Sequence, residues 1–215
     1  MRPVVGLLLA AGSSRRFGGD KLLAALPDGR LVGEAAAIHL RSGVDAAVAI
    51  IRPDTPRLAA VLTAAGLEVV TNPFAEDGMA GSIATGVAAS ADAEGWLIAL
   101  ADMPWVLPET IAAVAETIRN GASIAAPYHQ GRRGHPVGLH RRWTDELRAL
   151  RGDHGARALL ERQAHQLVGV ATADPGILRD IDRPEDLGPS PGVVERSAGR
   201  PEGTDAPGDR ADSFS

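Results

Sequence analysis

"LAAGSSRRFGGDKL", from Leu9 to Leu22, is where an apolar run stops at a glycine and turns into hydroxyls, arginines, two further glycines and a lysine. The run before it, "PVVGLLLA", is apolar at nearly every position and β-branched at its start, so it reads as a strand buried on both faces. A chain that leaves such a strand and gathers glycine with positive charge builds a cradle for an anion. Backbone N–H groups of Gly12, Gly18 and Gly19 can converge where no Cβ intervenes, and Arg16 and Lys21 supply full charges. In an open α/β sheet this place is the carboxyl edge of the strand, where ligands bind. Two familiar phosphate loops are excluded. A Walker A loop requires GxxxxGK[ST], whereas the four residues after Gly12, ending at Arg16, are followed by Phe17 rather than glycine, and Leu22 follows Lys21. The dinucleotide fingerprint GxGxxG fails because Ser13 and Ser14 follow Gly12.

Downstream, strand and helix patterns alternate. "LVGEAAAIHLRSG" reads as a helix stopped by Gly43, "VDAAVAII" as a strand, and "PRLAAVLTAAG" as a helix with Leu58, Val61, Leu62 and Ala65 on one face and Gly66 as its C-terminal cap. "LEVVTN" is a third strand, "GMAGSIATGVAAS" a small-residue helix, and "GWLIALA" a fourth buried strand that delivers Asp102 to the carboxyl edge. "PETIAAVAETIRNG" is a helix with Pro108 in its first turn, an Ile111, Val114 and Ile118 stripe, and an Asn120-Gly121 stop. This alternation predicts an α/β fold with a mostly parallel sheet covered by helices on both faces. After Gly121 the pattern loosens. "ASIAAPYHQGRRGHPVGLH" resembles two strands joined by a Gly/Arg loop, an antiparallel or mixed addition. Two short helices follow, around "RRWTDELRALRG" and "GARALLERQ", and a last strand, "QLVGVAT", precedes "DIDRPEDL". Residues 1–187 read as one domain. Residues 188–215 are rich in Gly, Pro, Ser, Asp and Arg, too poor in apolar surface to offset ordering entropy, and read as a disordered tail.

Composition narrows the setting. The 215 residues suffice for one well-buried core, and with 45% hydrophobic but 3% aromatic residues that core is built from Ala, Leu, Val and Ile. With 22 basic against 27 acidic side chains, the chain lacks the basic footprint of a nucleic-acid binder. The basic clusters "SSRRFGGDK" and "HQGRRGHP" are therefore sites rather than a global field. The absence of cysteine excludes disulfides, thiolate catalysis and cysteine-ligated metals. No stretch resembles a signal peptide or a membrane span, so a cytoplasmic setting without membrane contact is expected.

Three further groups carry potential chemistry. Asp102, ahead of Met103 and Pro104, is either a turn and helix cap or a hard ligand for magnesium, and beside a triphosphate loop the ligand role gains weight. Asp180 and Asp182 alternate in a strand-like way, so one can face the cleft while either can cap the short "RPEDL" helix. His135 sits in a basic loop with its backbone restrained by Gly134 and Pro136, whereas His39 and His165 read as structural or solvated. Met79 and Ser82 either pack on their helix or face a substrate.

At this point the motifs carry a resemblance. "LAAGSSRRFGGDK" resembles the LAAGxSxRxGxxK signature of the molybdenum cofactor cytidylyltransferases, "NPFAEDGMAGSIATGV" their NPxxxxGMxxSxxxG segment, "LADMPWV" their LADMPxV, and "GRRGHPVG" their GxRGHPV. "GDHGAR" and "DIDRPEDL" resemble GDxGAR and DIDTPEDL, in family order from Val4 to Leu187. Phe17, Ala75 and Arg183 depart from the pattern, none at a charged site matched by it.

The resemblance implies a Rossmann-like three-layer α/β/α sandwich of nucleotidyltransferase type, joining CTP to molybdopterin with release of pyrophosphate. It implies that Leu9, Ala10, Ala11, Gly12, Ser13 and Ser14, with Arg16 and Lys21, bind the nucleotide, and that Arg16, Lys21 and Asp102 are catalytic. Asp102 and Asp182 would hold magnesium, or manganese, while Gly78, Met79, Ser82, Arg133 and His135 would receive the acceptor. An anionic phosphate monoester attacks unaided, so no Ser-His-Asp device is needed. "LAAG" rather than "LAGG" resembles the cytidylyl branch, with Ala11 under the base. The alternatives are a GTP-dependent guanylyltransferase, an enzyme for another phosphorylated small molecule, and a non-catalytic cofactor carrier. A transient contact with a recipient molybdoenzyme or its chaperone is the partner role left to the tail.

Overall fold

In the computed structural model the described residues are 1–12, 16–152 and 155–188. Ser13, Ser14 and the tail beyond Gly188 lie outside them. Eight strands form one sheet: β1 (Val4–Leu9), β2 (Ala46–Ile51), β3 (Glu68–Thr71), β4 (Gly95–Leu100), β5 (Ile124–His129), β6 (Arg132–Arg133), β7 (Val137–His140) and β8 (Leu167–Ala171). Their order is β3-β2-β1-β4-β7-β5-β6, with β8 also paired to β5. β1 runs parallel to β2 and β4, β2 to β3, and β5 to β8, while β7 is antiparallel to both β4 and β5. The sheet is mixed and mostly parallel, as the alternation required.

The helices are α1 (Val32–Gly43), α2 (Pro56–Ala64), α3 (Met79–Ala89), α4 (Pro108–Arg119), α5 (Thr144–Arg148) and α6 (Arg157–Arg162). Strand periodicity divides the core into two layers. Val4 and Leu8 of β1 join Leu40, Leu58 and Ile111 from α1, α2 and α4 on one face. Val5 and Leu7 join Ile83 of α3, Leu147 of α5 and Leu159 of α6 on the other. Each fully buried Leu or Ile contributes about 1.5–3 kcal/mol relative to exposure. Trp96, the bulkiest fully buried side chain, donates its indole N–H to Ser90 Oγ at 2.9 Å and so leaves no stranded polar group.

Two local readings are corrected. The segment from Ala122 to His140 is more than two strands and a loop: Arg132 and Arg133 form β6, paired with His129 and Tyr128 across the Gln130-Gly131 turn. The chain then returns to insert β7 between β5 and β4. Two exposed arginines carry no strand pattern, and only their ladder reveals them. Gly43, expected beyond the helix end, is the last residue of α1, and a Cβ there would lie 2.7 Å from the side chain of Ile111. Its role is the close approach of α1 to α4.

Candidate functional site

β1 and β4 are neighbours in parallel register, Leu9 opposite Leu100, and Ala101 N–H donates to the Leu9 carbonyl at 3.2 Å. The segments that follow, 10–12 and 101–102, therefore leave the sheet side by side. The strand order reverses here, with β2 and β3 to one side of β1 and β4 to the other, which opens the crevice where such sheets bind ligands.

Lys21 returns to this crevice on the single 3-10 turn Lys21–Leu23. Its side chain is only 11% exposed, and Nζ lies 2.8 Å from Asp102 Oδ2 and 3.8 Å from Asp182 Oδ1. Arg16 Nη1 donates to Asp182 Oδ2 at 2.9 Å. Two cations and two carboxylates thus alternate as Arg16, Asp182, Lys21 and Asp102, a balanced set in which the mostly buried ammonium is paired rather than isolated. In the protein alone, the two basic residues assigned to phosphates each face an internal carboxylate.

Neighbouring backbone explains how both carboxylates arrive. Ile181 N–H donates to the Asp102 carbonyl at 2.9 Å, which joins the loop after β4 to the segment carrying Asp182. Asp182 does not cap the "RPEDL" turn. Asp186 does so, its Oδ2 accepting from Arg183 N at 2.8 Å and Asp182 N at 3.0 Å, and these amides hold its carboxyl below the usual range. Asp180 is exposed and lies electrostatically on the His135 side. Asp102 likewise is not the cap of α4. Leu107 N–H at that end is taken at 2.8 Å by buried Asp174, whose other oxygen accepts from Gly176 N at 2.8 Å.

The donor set fits magnesium or manganese. Two hard carboxylates reach within 4 Å of one point, Lys21 Nζ, and remain 26% and 44% exposed, as suits an ion that keeps waters and shares substrate phosphates. Among the described residues no group of three or more His, Cys, Asp or Glu could hold a metal, so the two carboxylates would form part of a coordination shell rather than a cage.

Leu9, Ala11, Gly12, Gly78, Ser82 and Asp102 line a cleft of about 830 Å³. Ala10, again with Gly12 and with Lys21, lines a hollow on the other side of the loop. A third cavity of about 280 Å³ is walled by Ile83, Ile98, Val137 and Leu160, with Arg133 and His135 at its polar end. Met79, on the first turn of α3, borders both the first and the third. The residues assigned together to the acceptor are therefore divided: Gly78 and Ser82 in the cleft beside the first loop, Arg133 and His135 in the apolar cavity, Met79 between. Ser82 is buried and accepts from Asn72 Nδ2 at 3.1 Å, while Asn72 Oδ1 takes Phe74 N–H, so its hydroxyl anchors the loop after β3.

His135 is positioned by its backbone. Its N–H donates to the Ile177 carbonyl at 3.1 Å, and a Cβ on Gly134 would fall 2.2 Å from that oxygen. Burial pushes the imidazole below its ordinary value and Arg133 adds to the effect, against the opposing pull of the Ile98 carbonyl, Asp102 and Asp180. Nδ1 is buried with no hydrogen-bond partner among the described residues.

Sequence reasoning missed Arg52, Trp105, Asp174, Arg179 and Asp186. Arg52 emerges directly after β2 and borders both the cleft and the hollow, so the rule that singled out Asp102 at a strand end would have found it. Trp105, under the Arg179 guanidinium at 3.4 Å, had no such signal.

A mostly parallel α/β sheet with a glycine loop, a lysine and two carboxylates at its crevice defines a nucleotidyltransferase. More particularly, the chain belongs to the MobA-like NTP transferase domain family, whose model matches residues 6–167. Asp182 and Asp186 lie beyond that stretch. The purine catabolism protein PucB of Bacillus subtilis (strain 168) is 29% identical over 85% of this chain and 93% of its own. The nicotine blue oxidoreductase of Paenarthrobacter nicotinovorans is 28% identical over 86% and 94%. Among solved structures, Rv0371c from Mycobacterium tuberculosis H37Rv superposes with a TM-score of 0.71 at 26% identity, covering 86% of this chain and 95% of that one. Rv0371c has also been solved in complex with manganese. No helix among the described residues is long and apolar enough to cross a membrane.

Proposed function

We propose that this nucleotidyltransferase joins CTP to a molybdopterin-type cofactor, forming the cytosine dinucleotide and pyrophosphate. The observation that carries the reading is the set of Lys21, Asp102, Asp182 and Arg16 at the mouth of the cleft bordered by Leu9, Ala11 and Gly12. The cofactor's phosphate monoester oxygen attacks the α-phosphorus of CTP. A new P–O bond forms as the bond to the β-phosphate oxygen breaks, and pyrophosphate leaves with that electron pair. The attacking oxygen is already anionic, so no side chain need remove a proton, and catalysis is positioning plus charge stabilisation.

Arg16 and Lys21 exchange their internal carboxylates for the β- and γ-phosphates. Asp102 and Asp182, freed of those cations, would hold magnesium or manganese, which would supply charge neutralisation for the phosphoryl transfer. The manganese complex of the mycobacterial protein supports divalent metal use. The cavity by His135 and Arg133 takes the acceptor, an apolar wall for its ring system and a cation for its anionic end. The first loop lacks the dinucleotide fingerprint of Rossmann oxidoreductases, and the nucleotidyl-transfer reading rests on the family match rather than on the name of one relative. Mass spectrometry after incubation with CTP, molybdopterin cofactor and Mg²⁺ tests the reading. The dinucleotide and pyrophosphate are expected together in equal amounts, and pyrophosphate without a joined product would refute the acceptor.

A further inference from the structure

We infer that Asp186 and Arg179 are positioning residues that seat the Asp182 carboxylate beside Asp102, an inference that rests on the metal role proposed for Asp182. Asp182 lies outside every helix and strand, ahead of the 3-10 turn Pro184–Leu187, yet its carboxylate must arrive within ångströms of a group carried just past the end of β4. Three cross-loop contacts supply that precision. The Asp102 carbonyl accepts from Ile181 N at 2.9 Å. The Arg179 guanidinium lies 3.4 Å over the ring of Trp105, three residues after Asp102 in the same loop. Leu107 N–H, further along that loop, is bound by Asp174.

Arg179 then reaches forward. Its Nη2 donates to the Asp186 carbonyl at 3.1 Å and to the Gly188 carbonyl at 2.6 Å, closing the segment 179–188 into a loop. Inside that loop the Asp186 carboxylate accepts both Asp182 N–H and Arg183 N–H. The Asp182 backbone is thereby held from both directions, by Ile181 bound to Asp102 and by Asp186 capping its own amide. The side chain is left to face Arg16 and Lys21. The path from Trp105 through Arg179 and Asp186 to Asp182 fixes one carboxylate relative to the other.

Partners of this kind behind a ligating carboxylate typically change metal affinity by about 10–100-fold when removed. The test is Mn²⁺ binding in the presence of CTP and without acceptor, followed by electron paramagnetic resonance of free Mn²⁺, with a thermal melt on each variant. Asp186→Ala is expected to weaken Mn²⁺ binding about tenfold. Asp186→Asn keeps a carbonyl oxygen to accept from the two amides and is expected to restore most of it. Arg179→Lys keeps the charge but loses the flat stack on Trp105, and falls between the two. A role in stability alone would lower the melting temperature of Asp186→Ala and leave Mn²⁺ affinity of the folded protein within twofold, which would overturn the inference. Asp182→Ala separates the two levels. If it weakens Mn²⁺ binding tenfold while Asp186→Ala does not, positioning fails and the metal role stands. If Asp182→Ala binds Mn²⁺ as the parent does, the metal role itself fails.

Discussion

The two halves of the site are built on opposite principles. On the side proposed for the nucleotide, the two cations of the first loop already have internal partners, Lys21 with Asp102 and Arg16 with Asp182. On the acceptor side the walls are Ile83, Ile98, Val137 and Leu160, and the buried His135 Nδ1 has no partner among the described residues. Under the proposed function, the first half would trade an existing ion pair for each ligand contact, and so reward a ligand that brings anions for the cations and a metal for the carboxylates. The second half would offer an apolar wall, with Arg133 and His135 for a polar end, neither of them in an ion pair among the described residues.

The comparison breaks most visibly at Asp102. Asp102→Ala leaves Lys21 without its nearer carboxylate and removes one of the two ligands proposed for the metal, and turnover is expected to fall by about 10²–10³-fold. Pyrophosphate release measured on protein with an unchanged circular dichroism spectrum checks this. Near-parental turnover would place the metal elsewhere.

Lys21→Ala separates exchange from simple attraction. It is expected to lower CTP-supported turnover by about 10²-fold, yet to tighten Mn²⁺ binding in the absence of nucleotide, because the two carboxylates lose their resident cation. Lys21→Arg should recover part of the turnover, a planar fork replacing a compact ammonium. Loosened Mn²⁺ binding in Lys21→Ala would show that the lysine supports the metal site rather than competing for it.

On the acceptor side, His135→Ala is expected to raise the KM for the molybdopterin cofactor by about tenfold, on the order of one lost hydrogen bond, with the KM for CTP unchanged. Parallel changes in both constants would mean that the two halves are not separate. The smallest effect is on stability. His135 and His39 are both held below the ordinary value of 6.5, chiefly by burial, with Arg133 and Arg30 adding to it. Each is neutral in the folded protein where the unfolded chain would take a proton, so stability rises with pH through the interval below 6.5 and levels above it. Melting curves between pH 5 and 8 should show that slope, and the double variant His39→Gln with His135→Gln should flatten it.

The contrast also shows what a sequence discloses. Strands β1, β2 and β4 and helix α4 were legible because long apolar runs, Pro108 and the Asn120-Gly121 stop are local signals. The charged ends of strands were legible for the same reason, which is how Asp102 and Lys21 came into view. Their pairing with each other was not, because residues 81 positions apart meet only through the parallel register of β1 and β4. The cap of α4 was equally hidden: Asp174 before Pro175 looks like a turn, and its bond to Leu107 spans 67 positions. β6 escaped because two solvent-facing arginines have no burial pattern to read.

The most direct test of the account is the rate of pyrophosphate release with molybdopterin cofactor and Mg²⁺, measured separately with CTP, GTP and ATP at equal concentrations. CTP is expected to exceed the other two in kcat/KM by at least about tenfold, the discrimination of roughly one well-placed contact near Ala11. Equal values for all three nucleotides, or release independent of the cofactor, would contradict it.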